Sequence, residues 1–197
     1  WALCRMYSEW NRPQEARTYL DRLLKLPCDL EERAGYFLAL GQLAERVSDY
    51  PSAASYYREA LLMEPCHNRT WYFIHNNLGF SLNQLRQFEE ATRFLRTAID
   101  INASFPNAHK NLGLSYQGLG RYAEAAECFV AATRANASDG RSLKHLEDLL
   151  REHPELLLTG EKLSQDLEAC RKAVEVARSH QPDFEKHWRE ARKKQKG

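Results

Sequence analysis

The chain has 197 residues, of which 43% are hydrophobic and 11% aromatic, enough to bury a core. With 28 Lys and Arg against 27 Asp and Glu, its net charge of +1 gives no whole-chain attraction to nucleic acid or to a membrane. The five cysteines include no CxxC pair, and neither end carries an apolar run typical of a signal peptide or a membrane span. We therefore expect an intracellular, cytoplasmic protein, and the start at Trp1 rather than methionine suggests a fragment of a longer chain.

Ala, Leu, Glu and Arg are frequent whereas Val and Ile are few, a balance that favours helices over strands. Pro13 suits the opening turn of a helix, and Asp29, three residues before Glu32, can cap another. Apolar residues at helical spacing predict the remaining elements. The predicted helices, joined in pairs by short turns, cover 2–11, 13–25, 29–47, 51–63, 68–85, 88–101, 106–119, 122–135, 139–152 and 161–180.

One string of residues recurs and indicates a repeat array. The string His75–Gly79, HNNLG, returns 34 positions later as His109–Gly113, HKNLG. In both copies a Leu-Gly pair is followed by an alanine, then by a large residue (Leu95 or Phe129), and then by a second alanine. This pattern resembles the tetratricopeptide repeat. This resemblance implies an all-α, right-handed solenoid of helical hairpins, in which the repeated glycine leaves room where two helices cross.

The resemblance covers about residues 1–137, with three good repeats and a degenerate one at the N-terminus, where Cys4 replaces the glycine. The spacing of 38 between Gly41 and Gly79 indicates four inserted residues within 66–71, at a hairpin junction. We expect capping helices over 138–182 and a basic, frayed helical tail over 183–197. A partner-binding amphipathic helix is the alternative for 161–180.

No sequence motif indicates catalysis, since there is no nucleophile elbow and no HExxH pair. His75 and His109 occupy equivalent places, but successive hairpins stack about 10 Å apart, too far for shared metal ligation, so we interpret them as packing residues. The prediction is therefore a protein that is not an enzyme and has no cofactor and no metal site.

The resemblance also implies that the first helix of each hairpin lines a groove, with Asn77 and Asn111 pointing into it. Their amides could hold the backbone of an extended peptide, because an amide both donates and accepts hydrogen bonds. The alternative is that both amides satisfy carbonyls within their own hairpins. The neighbouring groove positions are Gln42, Phe73, Asn76, Phe80, Asn83, Gln84, Asn107, Lys110, Leu114 and Gln117.

We accordingly expect a non-catalytic scaffold or adaptor that binds a protein or peptide, with no nucleic acid or membrane partner. One alternative is the substrate-recruiting arm of a larger enzyme, such as a glycosyltransferase, because some members of the family carry an asparagine ladder. A second is a co-chaperone-like clamp for an acidic C-terminal tail, which the sequence matches only in fragments. One register offers Asn77, Asn107 and Asn111 without the cations, and the other offers Asn76, Asn111, Arg141 and His145. Weak self-association through Trp1, Trp10 or the 161–180 helix is a third.

Overall fold

A computed structural model describes the backbone of residues 13–158 and 161–194, and the side chains of 14–158 and 161–180. These residues form α-helices and no strand. The helices are α1 (Pro13–Leu23), α2 (Leu30–Arg46), α3 (Tyr50–Leu62), α4 (Asn68–Gln84), α5 (Phe88–Ile101), α6 (Pro106–Gly118), α7 (Tyr122–Ala135), α8 (Arg141–Glu152), α9 (Glu155–Leu158) and α10 (Glu161–Lys194).

Three helical hairpins stack to form the middle of the molecule. The hairpins are α2–α3, α4–α5 and α6–α7. The second helix of each hairpin also packs on the helix that follows it in the chain. Helix α1 packs on α2, which extends the stack toward the N-terminus. The all-α hairpin solenoid predicted from the repeat is therefore confirmed. None of the described helices has both the length and the apolar character needed to cross a lipid bilayer.

The repeated glycines lie where the two helices of a hairpin cross most closely. A Cβ added at Gly79 would overlap with the Leu95 side chain, and one added at Gly113 would lie 2.5 Å from a ring carbon of Phe129. Both partners are fully buried, so they have no room to move aside. The glycine-to-large-residue pairing across each hairpin therefore sets how closely its helices approach.

The four extra residues of the second full repeat are helical. Helix α4 has 17 residues whereas α6 has 13, and the difference lies at the N-terminal end, ahead of the shared glycine position. Four residues make about one turn of helix, so the insertion lengthens α4 by Asn68–Trp71 without lengthening the connecting loop. Helix α2 carries the same additional turn. Asp29 caps α2 as predicted, since its Oδ1 accepts the Glu32 N–H at 2.7 Å.

The ends of the array differ in how much of them is described. The predicted helix over 2–11, with Trp1, Cys4 and Trp10, lies outside the described residues. At the other end α10 packs against α7 and α8 and buries Leu167, Cys170 and Val174. Its backbone stays helical to Lys194, so no helix end separates the predicted capping segment from the predicted tail. The side chains after residue 180 lie outside the described part.

Candidate functional site: the inner face of the first helices

The first helices of the hairpins form one continuous face. Helices α2, α4 and α6 contact one another directly across successive hairpins, in addition to their contacts with the second helices. Between successive hairpins, the second helices mainly contact the first helix of the next hairpin. A stack that brings its first helices together is narrower on their side, so that side is concave. We call the exposed surface of α2, α4, α6 and α8 the inner face.

A chain of side-chain amides joins α4 to α6 beneath this face. Asn111 Nδ2 donates to Asn76 Oδ1 at 3.1 Å, and Asn76 Nδ2 donates to Asn77 Oδ1 at 2.9 Å. Asn76 and Asn111 are buried, whereas Asn77 is half-buried. The Asn111–Asn76 bond thus runs between hairpins, whereas the Asn76–Asn77 bond lies within α4. Asn77 is the member nearest to solvent.

A second pair of polar bonds reinforces the same interface. The buried Asn83 donates from Nδ2 to the Asn111 carbonyl at 2.8 Å, and its Oδ1 accepts the Ser115 hydroxyl at 2.7 Å. Both atoms of the amide are therefore satisfied by the next hairpin, as a buried polar group requires. Three of the predicted groove residues, Asn76, Asn83 and Asn111, are turned into the interior and hold hairpins together.

A carboxyl group occupies the corresponding place between α2 and α4. Glu45 Oε1 accepts the Ser81 hydroxyl at 3.0 Å, as Asn83 does from Ser115 one repeat later. Burial raises the pKa of Glu45 to about 7, because removal from water disfavours the charged form. The buried Tyr57 hydroxyl, next to Glu45 and Asn77, has no hydrogen-bond partner among the described residues. Burial and the neighbouring carboxyl both raise the pKa of Tyr57.

Other side-chain amides remain available on the inner face. Gln42, Gln84 and Asn107 are exposed and Gln117 is half-exposed. No side-chain hydrogen bond to these four occurs within the part of the chain that the structure describes. They combine donors and acceptors that a bound segment could use.

Partly exposed aromatic side chains flank these amides. Phe73 packs edge-on against Tyr72, with ring centroids 5.4 Å apart, and the Arg69 guanidinium lies 5.6 Å from the Phe73 ring centre. Phe80 packs edge-on against Tyr50 at 6.0 Å. These rings, with the half-buried Leu114, give the inner face an apolar component beside its amides.

Positive charge is concentrated toward α8. Lys110 is half-buried, and burial, followed by the nearby Arg141 guanidinium, lowers its pKa. Arg141 itself makes a bidentate pair with Asp139, at 2.8 and 2.6 Å. Burial and then Lys110 lower the pKa of His145. Because Asp139 neutralises Arg141, Lys110 is the cation of this group that has no carboxylate partner of its own among the described residues.

The two equivalent histidines are held by backbone carbonyls. His75 Nδ1 lies 2.8 Å from the Trp71 carbonyl and its ring packs on the Trp71 ring, 5.0 Å between centroids. His109 Nε2 lies 2.9 Å from the Ala103 carbonyl. Burial lowers the pKa of His75. Each ring is positioned by its own local structure and not by the other histidine.

Sequence reasoning missed the serines and the acid that join the hairpins. Ser81 and Ser115 are 34 residues apart, the same spacing as the recurrent string, so the repeat itself marked them as equivalent. Glu45 gave no such sign, because an exposed surface is the usual place for a glutamate in a helix. Its burial depends on how closely α2 and α4 approach.

The stacked hairpins and their concave face define a helical-repeat protein, a class whose curved inner surfaces serve as scaffolds for protein interactions. Models of the tetratricopeptide repeat match residues 9–69, 76–103 and 106–139. The chain belongs to the tetratricopeptide repeat family. No curated protein sequence matches it.

Several solved structures share the fold. MamA (41-end) from Desulfovibrio magneticus RS-1 superposes with a TM-score of 0.66 at 16% identity, over 92% of this chain and 93% of that one. BtubC from P. vanneervenii gives 0.69 at 20% identity, over 91% and 78%. YrrB, described as a tetratricopeptide repeat protein with an unusual peptide-binding site, gives 0.63 at 18% identity, over 91% and 88%. At identities this low, the TM-scores show a common fold and no more than that.

Proposed function

We propose that the protein is a non-catalytic scaffold that binds an extended segment of a partner protein along its inner face. The observation that carries this proposal is the set of side-chain amides on that face with no internal hydrogen bond. An amide can grip a peptide unit through one donor and one acceptor, whatever side chain that unit carries. The set consists of Gln42, Gln84, Asn107 and Gln117.

The buried amides beneath this surface support the same proposal. Asn111, bonded to Asn76 and Asn83, fixes the spacing of α4 and α6 before any partner arrives. A surface that is already ordered loses less conformational entropy on binding. Because Asn77 is half-buried at the solvent end of the amide chain, we expect this member of the chain to contact a ligand as well.

Electrostatics favour amide contacts over a clamp for an acidic tail. A clamp needs unpaired cations, and Arg141 is already bound by Asp139. Lys110, at the same end of the face, is half-buried, and burial lowers its pKa, so that position disfavours a charged clamp. We therefore expect a largely uncharged partner segment, with aromatic or aliphatic residues that pack on Phe73 and Phe80.

A peptide library displayed on phage tests the proposal. Peptides selected on the purified protein should bind the double variant Gln84→Ala, Gln117→Ala about thirtyfold more weakly, since two hydrogen bonds of about 1 kcal/mol each sum to about 2 kcal/mol. The matched control changes exposed residues of the second helices, Arg93→Ala with Glu127→Ala, and should bind unchanged. Fluorescence anisotropy measures both affinities.

Two results would contradict the proposal. One is an equal loss of affinity in the control variant, which would place the bound peptide on the outer side of the array. The other is an affinity that collapses when salt is raised, because screening weakens charge contacts far more than contacts between neutral amides.

A further inference from the structure

A thiol, an imidazole and a carboxylate meet where the hairpin α2–α3 joins α4. Cys66 and His67 precede the first turn of α4, and Glu31 projects from the first turn of α2. Glu31 Oε1 lies 3.2 Å from His67 Nδ1, and Cys66 Sγ lies 3.6 Å from the same nitrogen. We propose that Glu31, Cys66 and His67 form a binding site for a soft divalent cation of the Zn²⁺ type.

Two of the three donor-to-donor separations match those of a tetrahedral zinc site. Zinc binds sulfur at about 2.3 Å and nitrogen or carboxylate oxygen at about 2.0 Å, so tetrahedral angles separate oxygen from nitrogen by roughly 3.3 Å and sulfur from nitrogen by roughly 3.5 Å. Both measured separations are within about 0.1 Å of these values, and the three donor atoms all lie within 4.8 Å of one another. A water molecule would complete the fourth position.

The carboxylate is already held in a position to bind. Thr70 Oγ1 donates to Glu31 Oε1 at 2.7 Å, and the Cys66 backbone N–H donates to Oε2 at 2.7 Å. The His67 backbone N–H adds a longer bond to Oε2 at 3.4 Å. Of these three donors only Thr70 Oγ1 bonds to Oε1, so Oε1 keeps a lone-pair position for a metal. Such outer contacts orient ligands and raise metal affinity. Cys66 and His67 are exposed, so a cation can reach them without opening the fold.

The extra helical turns of α2 and α4 create this arrangement. They place Glu31 and the Cys66–His67 pair side by side at the N-terminal ends of two neighbouring first helices, one turn beyond the start of a regular first helix. Helix α6, with 13 residues, has no such turn. A bound cation would thus connect two lengthened first helices, and it would add a cross-link independent of the core.

Binding follows a simple balance of protons. The Cys66 thiol loses its proton to solvent as the sulfur–metal bond forms, and His67 binds through the lone pair of a ring nitrogen.

Cobalt(II) is a direct probe because its spectrum reports both ligand type and geometry. Titration of the reduced full chain with CoCl₂ should produce a thiolate-to-cobalt charge-transfer band and the intense visible bands of tetrahedral cobalt, at one equivalent, and ZnCl₂ should remove both. Cys66→Ser should abolish the charge-transfer band, and His67→Ala should weaken binding at least about tenfold. Circular dichroism should remain unchanged, since both side chains are exposed.

Cys28→Ser is the matched control, because Cys28 is another free, partly exposed thiol on the same array. It should keep the full cobalt spectrum and affinity. If Cys28→Ser removes the band, if Cys66→Ser retains it, or if no charge-transfer band forms at all, the proposed site is overturned. Thr70→Val should lower zinc affinity in calorimetry without changing the ligands, and an unchanged affinity would remove the role assigned to the outer contact.

Discussion

The two interfaces on either side of α4 use the same positions with different chemistry. Between α4 and α6, the Asn83 amide accepts the Ser115 hydroxyl and donates to the Asn111 carbonyl. Between α2 and α4, the Glu45 carboxyl accepts the Ser81 hydroxyl. An amide stays neutral at every pH, whereas a carboxyl must keep its proton to remain neutral. The repeat thus holds a permanently neutral group at one interface and a titratable one at the other.

This difference explains the raised pKa of Glu45. The Glu45 carboxyl lies between α2 and α4, where it accepts a hydrogen bond from the Ser81 hydroxyl. Removal from water opposes a charged carboxylate there, so the position suits a neutral group. The first interface is therefore strongest when Glu45 is protonated, and the second should be indifferent to pH.

The largest effect should follow from moving the acid to the second interface. Asn83→Asp places a carboxylate among the Asn111 carbonyl and the Ser115 hydroxyl and removes the donor to that carbonyl. A buried charge without a partner costs about 3–5 kcal/mol, so we expect this loss in the free energy of unfolding at pH 8, measured by urea denaturation. Part of it should return at pH 5 as the new acid is protonated. A loss that is identical at both pH values would contradict this account.

The second prediction concerns the pH dependence of Glu45 itself. Its pKa is about 7 in the folded chain and 4.5 without burial, so the folded state binds the proton more tightly. Stability from this group is complete below pH 4.5 and is lost as pH rises through 7. Since each pKa unit corresponds to about 1.4 kcal/mol, the full loss is at most about 3 kcal/mol.

Glu45→Gln isolates this contribution because the amide cannot titrate. Urea denaturation at several pH values gives the free energy of unfolding of both proteins. The variant should become increasingly more stable than the wild type from pH 5 to pH 8. Parallel curves for the two proteins would mean that Glu45 is solvated and ionised throughout. The comparison cancels the titration of the other carboxyl groups, which both proteins share.

The same interfaces mark where the sequence was informative and where it was not. The recurrence of His75–Gly79 predicted the hairpins, because the glycine and its large partner are dictated within one repeat. Asn76 and Lys110 hold equivalent positions, yet Asn76 is buried and Lys110 half-buried. The neighbouring hairpins determine how far each side chain is exposed, and the repeat pattern does not contain that information. Glu31 and Cys66 meet because α2 and α4 both have an added turn, which the regular 34-residue repeat lacks.

The third prediction compares two members of the amide chain. Asn111→Ala should cost about 2 kcal/mol in the free energy of unfolding, because it leaves the buried Asn76 oxygen without its donor. Asn77→Ala removes the acceptor of Asn76 Nδ2, but Asn77 is half-buried, so water can replace it. This change should therefore cost less, about 1 kcal/mol, and should instead weaken peptide binding. Thermal melts and anisotropy on the same preparations measure both. Equal destabilisation by the two changes would assign Asn77 a purely structural role.

The smallest effects should come from the two serines, and their dependence on pH should differ. Ser115→Ala removes a donor to a neutral amide and should cost about 1 kcal/mol at pH 5 and at pH 8 alike. Ser81→Ala removes a donor to Glu45, so its cost should be about 1 kcal/mol at pH 5 and about 2 kcal/mol at pH 8, because a hydrogen bond to an ionised acceptor is stronger. A Ser81→Ala cost that does not grow with pH would show that Glu45 relies on other donors, and the contrast between the two interfaces would then rest on burial alone.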